Sequence, residues 1–243
     1  MTDVVNDNLL LISGESTTGK SAALRNLTPQ EGVLYLNCEA GKKLPFRNKF
    51  ETYVITDPWD VYGAFDHAEE RDDIHTIVVD TLTFLMDMFE SVVVLTATNT
   101  MEAWGQFQQF FKNLMQDKVA NSTKNVIFLA HTRAEFDEVL GDYRTQVPIK
   151  GALRNNGIEA YFSTVVSTKR VKIKDLKDQD EALLTITEEE EALGFKHVFQ
   201  TRLTKATKNE RIRSPMGMFG PNQTYIDNDA SVLMDHLKAY YDE

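Results

Sequence analysis

The chain has 243 residues, 42% hydrophobic and 26% charged, which is enough apolar material for a substantial core and fits one α/β domain of roughly 200–250 residues. Its 26 basic and 37 acidic residues leave a formal charge of −11, which argues against a protein that coats nucleic acid by bulk charge but permits a local basic face. No apolar run approaches about 18 residues, the N-terminal stretch MTDVVNDN lacks secretory features, and the lone Cys38 can form no intramolecular disulfide; together these predict a cytoplasmic chain with no membrane span.

In chain order, the apolar run Leu9-Leu10-Leu11-Ile12 predicts a buried strand that leads into Gly14-Glu15-Ser16-Thr17-Thr18-Gly19-Lys20-Ser21. Glycines separated by four residues and followed by Lys and Ser form the phosphate-binding loop pattern. Gly14 and Gly19 let the backbone wrap around phosphate oxygens with its N–H groups pointing inward. Lys20 supplies a point charge for the outer phosphates, and Ser21 offers a hydroxyl to a bound Mg²⁺. Residues 22–27, starting at Ala22, are expected to continue as a helix whose positive end faces the anion. A nucleoside triphosphate is the predicted ligand.

Thr28-Pro29 then breaks the chain. Strands are expected at 33–39, 51–57, 75–80 and 125–131, and helices at 59–70, 84–95 and 101–119, with Val61, Phe65 and Ala68 at helical spacing in the first helix. Apolar strands separated by helices indicate a parallel sheet covered on both faces. The second half differs. Residues 132–156 read as polar and irregular, 162–173 and 195–204 as partnered strands, and the acidic 175–191 between them as a solvated protrusion. Residues 229–241 carry Val232, Leu233, His236, Leu237 and Tyr240 at the spacing of an amphipathic helix. No internal repeat or long linker divides the chain, so one domain over 1–243 is expected.

Four further sites bear on chemistry. Asp80 ends an apolar strand, the arrangement that holds Mg²⁺ opposite a phosphate-binding loop; capping the next helix is its plainer role. Glu39 ends the strand after the loop, where a carboxylate can take a proton from an attacking water. His131 ends the last core strand, and spacing alone leaves open whether it bonds the γ-phosphate or is a satisfied core histidine. The basic run Lys205, Lys208, Arg211 and Arg213 falls too late for the loop's own phosphates. It reads as a group supplied in trans, a nucleic-acid contact or a solvated edge.

The order of these motifs resembles that of RecA-fold ATPases, and most of all the short, core-only RecA-like proteins of bacteriophages that anneal single-stranded DNA. The resemblance spans roughly residues 8–221. It aligns Glu39 in LYLNCEAGKKLP with the catalytic glutamate, Asp80 in TIVVDTLT with the Walker B aspartate, and His131 in FLAHTRAE with the γ-phosphate sensor. Lys208-Asn209-Glu210-Arg211, with Arg213, resembles the basic element that acts across a subunit boundary, at altered spacing.

It implies a mainly parallel, twisted sheet flanked by helices, with antiparallel C-terminal strands. It also implies ATP and Mg²⁺ as ligands, hydrolysis stimulated by DNA, and a homo-oligomeric ring or filament with ATP at the subunit interface. No N-terminal oligomerisation helix is expected, because the core strand begins about eight residues in. The implied compartment is the cytoplasm, that of the host for a phage protein. Two segments would hold single-stranded DNA: 88–100, and 133–156 with Arg133, Arg144, Lys150 and Arg154 for phosphates and Phe136 and Tyr143 for bases. Glu135, Asp137, Glu138 and Asp142 oppose that assignment electrostatically. The rival readings are a nucleotide-dependent assembly protein without DNA, and a small-molecule kinase with 133–154 as its lid.

Overall fold

The computed structural model describes residues 6–180 and 182–242; most of the polar N-terminal stretch and residue 181 of the acidic segment lie outside the described residues. Strand β1 (Leu9–Gly14) shows the principle of the fold: Leu9 and Leu11 pack into one apolar layer, Leu10 and Ile12 into the other. The strands β2 (Val33–Asn37), β4 (Thr76–Asp80) and β5 (Asn125–His131) alternate in the same way, which explains why they read as continuous apolar runs. With β3 (Glu51–Val54), β8 (Thr164–Lys172), β9 (Phe195–Gln200) and β10 (Tyr225–Asp227) they form an eight-stranded sheet ordered β10-β9-β8-β1-β5-β4-β2-β3. Pairing is parallel from β3 across to β8, and antiparallel between β8, β9 and β10.

Helices α1 (Asp60–Glu69), α2 (Leu82–Phe89) and α3 (Thr100–Asn113) cover one face, with Phe65, Phe89, Phe107, Phe110 and Phe111 buried between them and the sheet. Each of α2 and α3 runs on into a π-helical turn, Glu90–Val94 and Leu114–Val119. The other face is covered by Ala23 and Leu24 and by a C-terminal helix, Ala230–Tyr241, whose Leu233 and Leu237 are wholly buried. Burying such leucines contributes about 1.5–3 kcal/mol each. No described helix is long and apolar enough to cross a membrane.

The structure corrects three expectations. The segment after Lys20 is a six-residue 3-10 helix, Ser21–Asn26, which Leu27 ends by leaving helical backbone while its N–H donates to Leu24 O. Residues 132–156 are not irregular. They hold a hairpin of β6 (Arg133–Asp137) and β7 (Asp142–Gln146), closed where Asp137 Oδ1 accepts from Val139 N and Leu140 N, and a short helix α4 (Leu153–Asn156). The acidic segment is no solvated protrusion: Leu176 and Leu184 pack on Val198, and α5 (Glu188–Leu193) is closed by a capping box between Thr187 and Glu190. The C-terminal helix is numbered α6 hereafter.

Candidate active site

Register determines which residues meet. Asn37 of β2 lies level with Asp80 of β4, and Asp80 level with Leu129 of β5, while Gly14 of β1 pairs with His131. Glu39 and His131 are therefore each two residues beyond the level of Asp80, where β4 has already turned towards α2. The two side chains bridge over that gap, with His131 Nε2 3.3 Å from Glu39 Oε1. Glycine at position 14 is required because a Cβ there would collide with the Thr168 hydroxyl; Gly19 has φ +102° and lies against the Asn228 carboxamide.

These strand ends surround a cavity of about 550 Å³ lined by Ser16, Thr17, Gly19, Lys20, Ser21 and Ala22 with Tyr35, Glu39, Lys42, Asp80 and His131. Lys20 is 6% exposed, and its ammonium donates to the carbonyls of Gly14 (3.0 Å) and Glu15 (2.7 Å). Burial pushes its pKa down to about 8 against the pull of Asp80 and Glu39. Asp80 Oδ2 accepts from Ser21 Oγ (2.9 Å) and from Tyr35 OH (2.7 Å). Burial holds the Asp80 carboxyl above the usual range, opposed by the Tyr35 bond and reinforced by Glu39. Burial likewise raises Glu39, but its ion pair with Lys42 (2.7 Å) and its bond to His131 outweigh this and keep it below the ordinary carboxylate range. Burial and the Lys20 charge depress His131, which is thus a neutral imidazole near pH 7 and donates from Nε2 to Glu39.

The donor set fits a magnesium ion bound with a nucleotide. Asp80 Oδ1 is buried without a partner, beside the Ser21 hydroxyl. One carboxylate and one hydroxyl suit this cation, which keeps waters and takes its remaining ligands from phosphates. Among the described residues no group of three His, Cys, Asp or Glu side chains is arranged to hold a metal.

Sequence reasoning missed several residues that complete the site. Thr18 O accepts from His197 Nδ1 (2.9 Å), Gly19 O accepts from Asn228 Nδ2 (2.9 Å), and Arg25 donates to Asn228 O (2.8 Å), so β9 and the turn after β10 grip the loop. Nothing in the local sequence pointed to either residue. Tyr35 carried a signal: a tyrosine in a strand buried on both faces must place its hydroxyl on a partner.

The basic run lies outside this cavity. Lys208 pairs with Asp142 (3.2 Å), Arg211 donates to Asn156 O (3.0 Å) and Gln146 Oε1 (3.3 Å), and Lys205 and Arg213 are exposed. Of the predicted DNA contacts, Arg144 pairs with Asp137 (3.0 Å), Lys150 with Glu90 (2.6 Å) and Arg154 with Glu135 (3.6 Å), and Arg133 is exposed at the start of β6. The segment 88–100 is largely helical and holds no basic residue. Phe136 and Tyr143 face each other across the hairpin, ring centroids 5.5 Å apart, 58% and 63% exposed. Residues 6–198 match the family described as an AAA domain. No curated protein matches the chain.

Proposed function

The chain belongs to the AAA domain family, and from that premise we propose that this P-loop ATPase-type domain is a magnesium-dependent, RecA-like ATPase acting on single-stranded DNA, of the kind phages use to anneal or exchange strands. One side chain carries the finer reading. His131 lines the phosphate cavity and also a second cavity of about 530 Å³ bounded by Phe84, Arg133, Gln146 and Arg154, at the base of the hairpin that presents Phe136 and Tyr143. A group that touches both spaces can relate the state of the nucleotide to the position of the hairpin.

In this reading Lys20 holds the outer phosphates, and Ser21 and Asp80 hold the cation, which when bound neutralises phosphate charge. Glu39, fixed by the His131 N–H, takes the proton of an in-line water. Loss of the terminal phosphate is felt at His131 and passed to β6, whose first residue lies two positions on. Lys205, Lys208, Arg211 and Arg213 are held by the hairpin or exposed, away from their own cavity, which suits a charge offered to a neighbouring subunit's ATP in a ring or filament.

The test is ATP hydrolysis with and without single-stranded DNA, over a salt series and several protein concentrations. Stimulation that declines with salt, and a rate that rises faster than protein concentration, are expected. Hydrolysis indifferent to DNA while assembly still follows ATP would favour a nucleotide-dependent assembly protein. Specific observations support that rival: Arg144, Lys150 and Arg154 are occupied by carboxylates, and the hairpin tip exposes Val139 and Leu140.

A further inference from the structure

We propose that Lys42 reads the terminal phosphate of the nucleotide, exchanging its ion pair with Glu39 for that phosphate and so freeing the carboxylate only when a triphosphate is bound. This rests on the reading of Glu39 as the proton acceptor. The geometry is built for it. Residues 39–42 form a tight turn in which Ala40 (φ +52°) and Gly41 (φ +79°) are both left-handed and Lys42 N donates to Glu39 O at 3.1 Å. A left-handed alanine is strained by its Cβ, so such a turn persists only where its surroundings hold it. Asn37, 3% exposed, does so from both ends: its Oδ1 accepts from Glu39 N (2.9 Å) and its Nδ2 donates to Lys42 O (2.8 Å).

The clamped turn brings the Lys42 ammonium back onto Glu39 Oε2 at 2.7 Å, yet the lysine side chain is 69% exposed while that of the glutamate is 10% exposed. The backbone is thus anchored and the cation can swing, whereas the carboxylate cannot. Lys42 also lines the cavity that holds Lys20, Ser21 and Asp80, within the field of Asp80 as well as Glu39. A terminal phosphate carries more charge than a carboxylate and presents three acceptor oxygens, so it outcompetes Glu39 for a mobile ammonium. A diphosphate ends at the loop and leaves the ion pair in place. Glu39 then keeps only the neutral His131 donor when ATP is bound, which makes it a better base at the moment water must be activated.

The experiment measures the affinities of ADP and of the β,γ-imido analogue of ATP, with Mg²⁺, for the full chain and four variants. Lys42→Ala is expected to weaken the triphosphate analogue about tenfold, the order of one charge-assisted hydrogen bond, with ADP affected less than about twofold. Lys42→Arg restores the discrimination. Glu39→Gln, which releases Lys42, tightens the triphosphate analogue, and the double variant Glu39→Gln with Lys42→Ala loses that gain. Equal weakening of both nucleotides by Lys42→Ala, or a gain that survives in the double variant, would overturn the proposal. Failure of the underlying reading is separately visible: Glu39→Gln that hydrolyses ATP at the wild-type rate removes Glu39 as base but does not touch the affinity comparison.

Discussion

Replacing Tyr35 by Phe tests whether Asp80 is held ready for a cation. Tyr35 and Asp80 are 3% and 2% exposed, and the hydroxyl lies 2.7 Å from Oδ2. Burial and the Asp80 charge push the phenol far above its ordinary pKa, so it stays protonated and always donates. Phe fills the same space, so the variant leaves no cavity and removes only this bond. A hydrogen bond to a buried carboxylate contributes about 1.5–3 kcal/mol. For a chain of this size a loss of about 2 kcal/mol lowers Tm by about 4–8 °C. Urea unfolding of the wild type, Tyr35→Phe, Asp80→Asn and the double variant should give a coupling energy in that range. In parallel, the Mg²⁺ concentration that half-saturates ADP binding should rise about tenfold or more in Tyr35→Phe, because the carboxylate loses the partner that orients it. A Tyr35→Phe variant equally destabilising in the Asp80→Asn background, or a Mg²⁺ requirement that does not move, would refute the reasoning.

Lys20→Ala removes the buried ammonium and should lower ADP affinity about 100-fold or more while the fold persists; an unchanged ATPase rate on pure protein would sink the catalytic reading. Glu69 accepts from Ser122 Oγ, Thr123 N and Thr123 Oγ1; burial raises its carboxyl, but these bonds prevail and hold it below its ordinary value of 4.5. Its stabilisation is therefore present above about pH 4.5 and is lost as pH falls through the folded value. Glu69→Gln should cost about 1–2 kcal/mol in urea unfolding at neutral pH and progressively less in acid, and a pH-independent cost would contradict this. Phe136→Ala with Tyr143→Ala should weaken single-stranded DNA binding by fluorescence polarisation about tenfold or more without changing the unfolding midpoint. Intact DNA binding with lost self-association would point instead to an assembly surface.

The parallel half of the sheet was legible because its chemistry is local. Leu9 to Ile12, Ile77 to Val79 and Val126 to Ala130 are apolar on both faces and end in Gly14, Asp80 and His131, so the strand ends and the residues they deliver could be read together. What could not be read depends on partners far along the chain. The hairpin of β6 and β7 has few apolar residues because most of it is exposed, and polarity alone resembles a loop. The acidic segment concealed Leu176 and Leu184, whose burial depends on Val198 of a later strand. Lys42 had a local signal, a glycine between it and Glu39 that permits a returning turn, but only the Asn37 clamp reveals the turn's direction.

The grip of β9 and the β10–α6 turn on the phosphate-binding loop has a consequence for how the protein is made. Gly19 is translated early, but the carboxamide that donates to its carbonyl belongs to Asn228, 209 residues later. His197 and the Asn228 carbonyl that accepts from Arg25 belong to the same late closure. A ribosome-bound chain that has completed the parallel strands still lacks the supports that shape its most diagnostic motif. The geometry of the loop is thus complete only once Asn228 has been made, and a chain stalled before it displays the loop sequence without these supports.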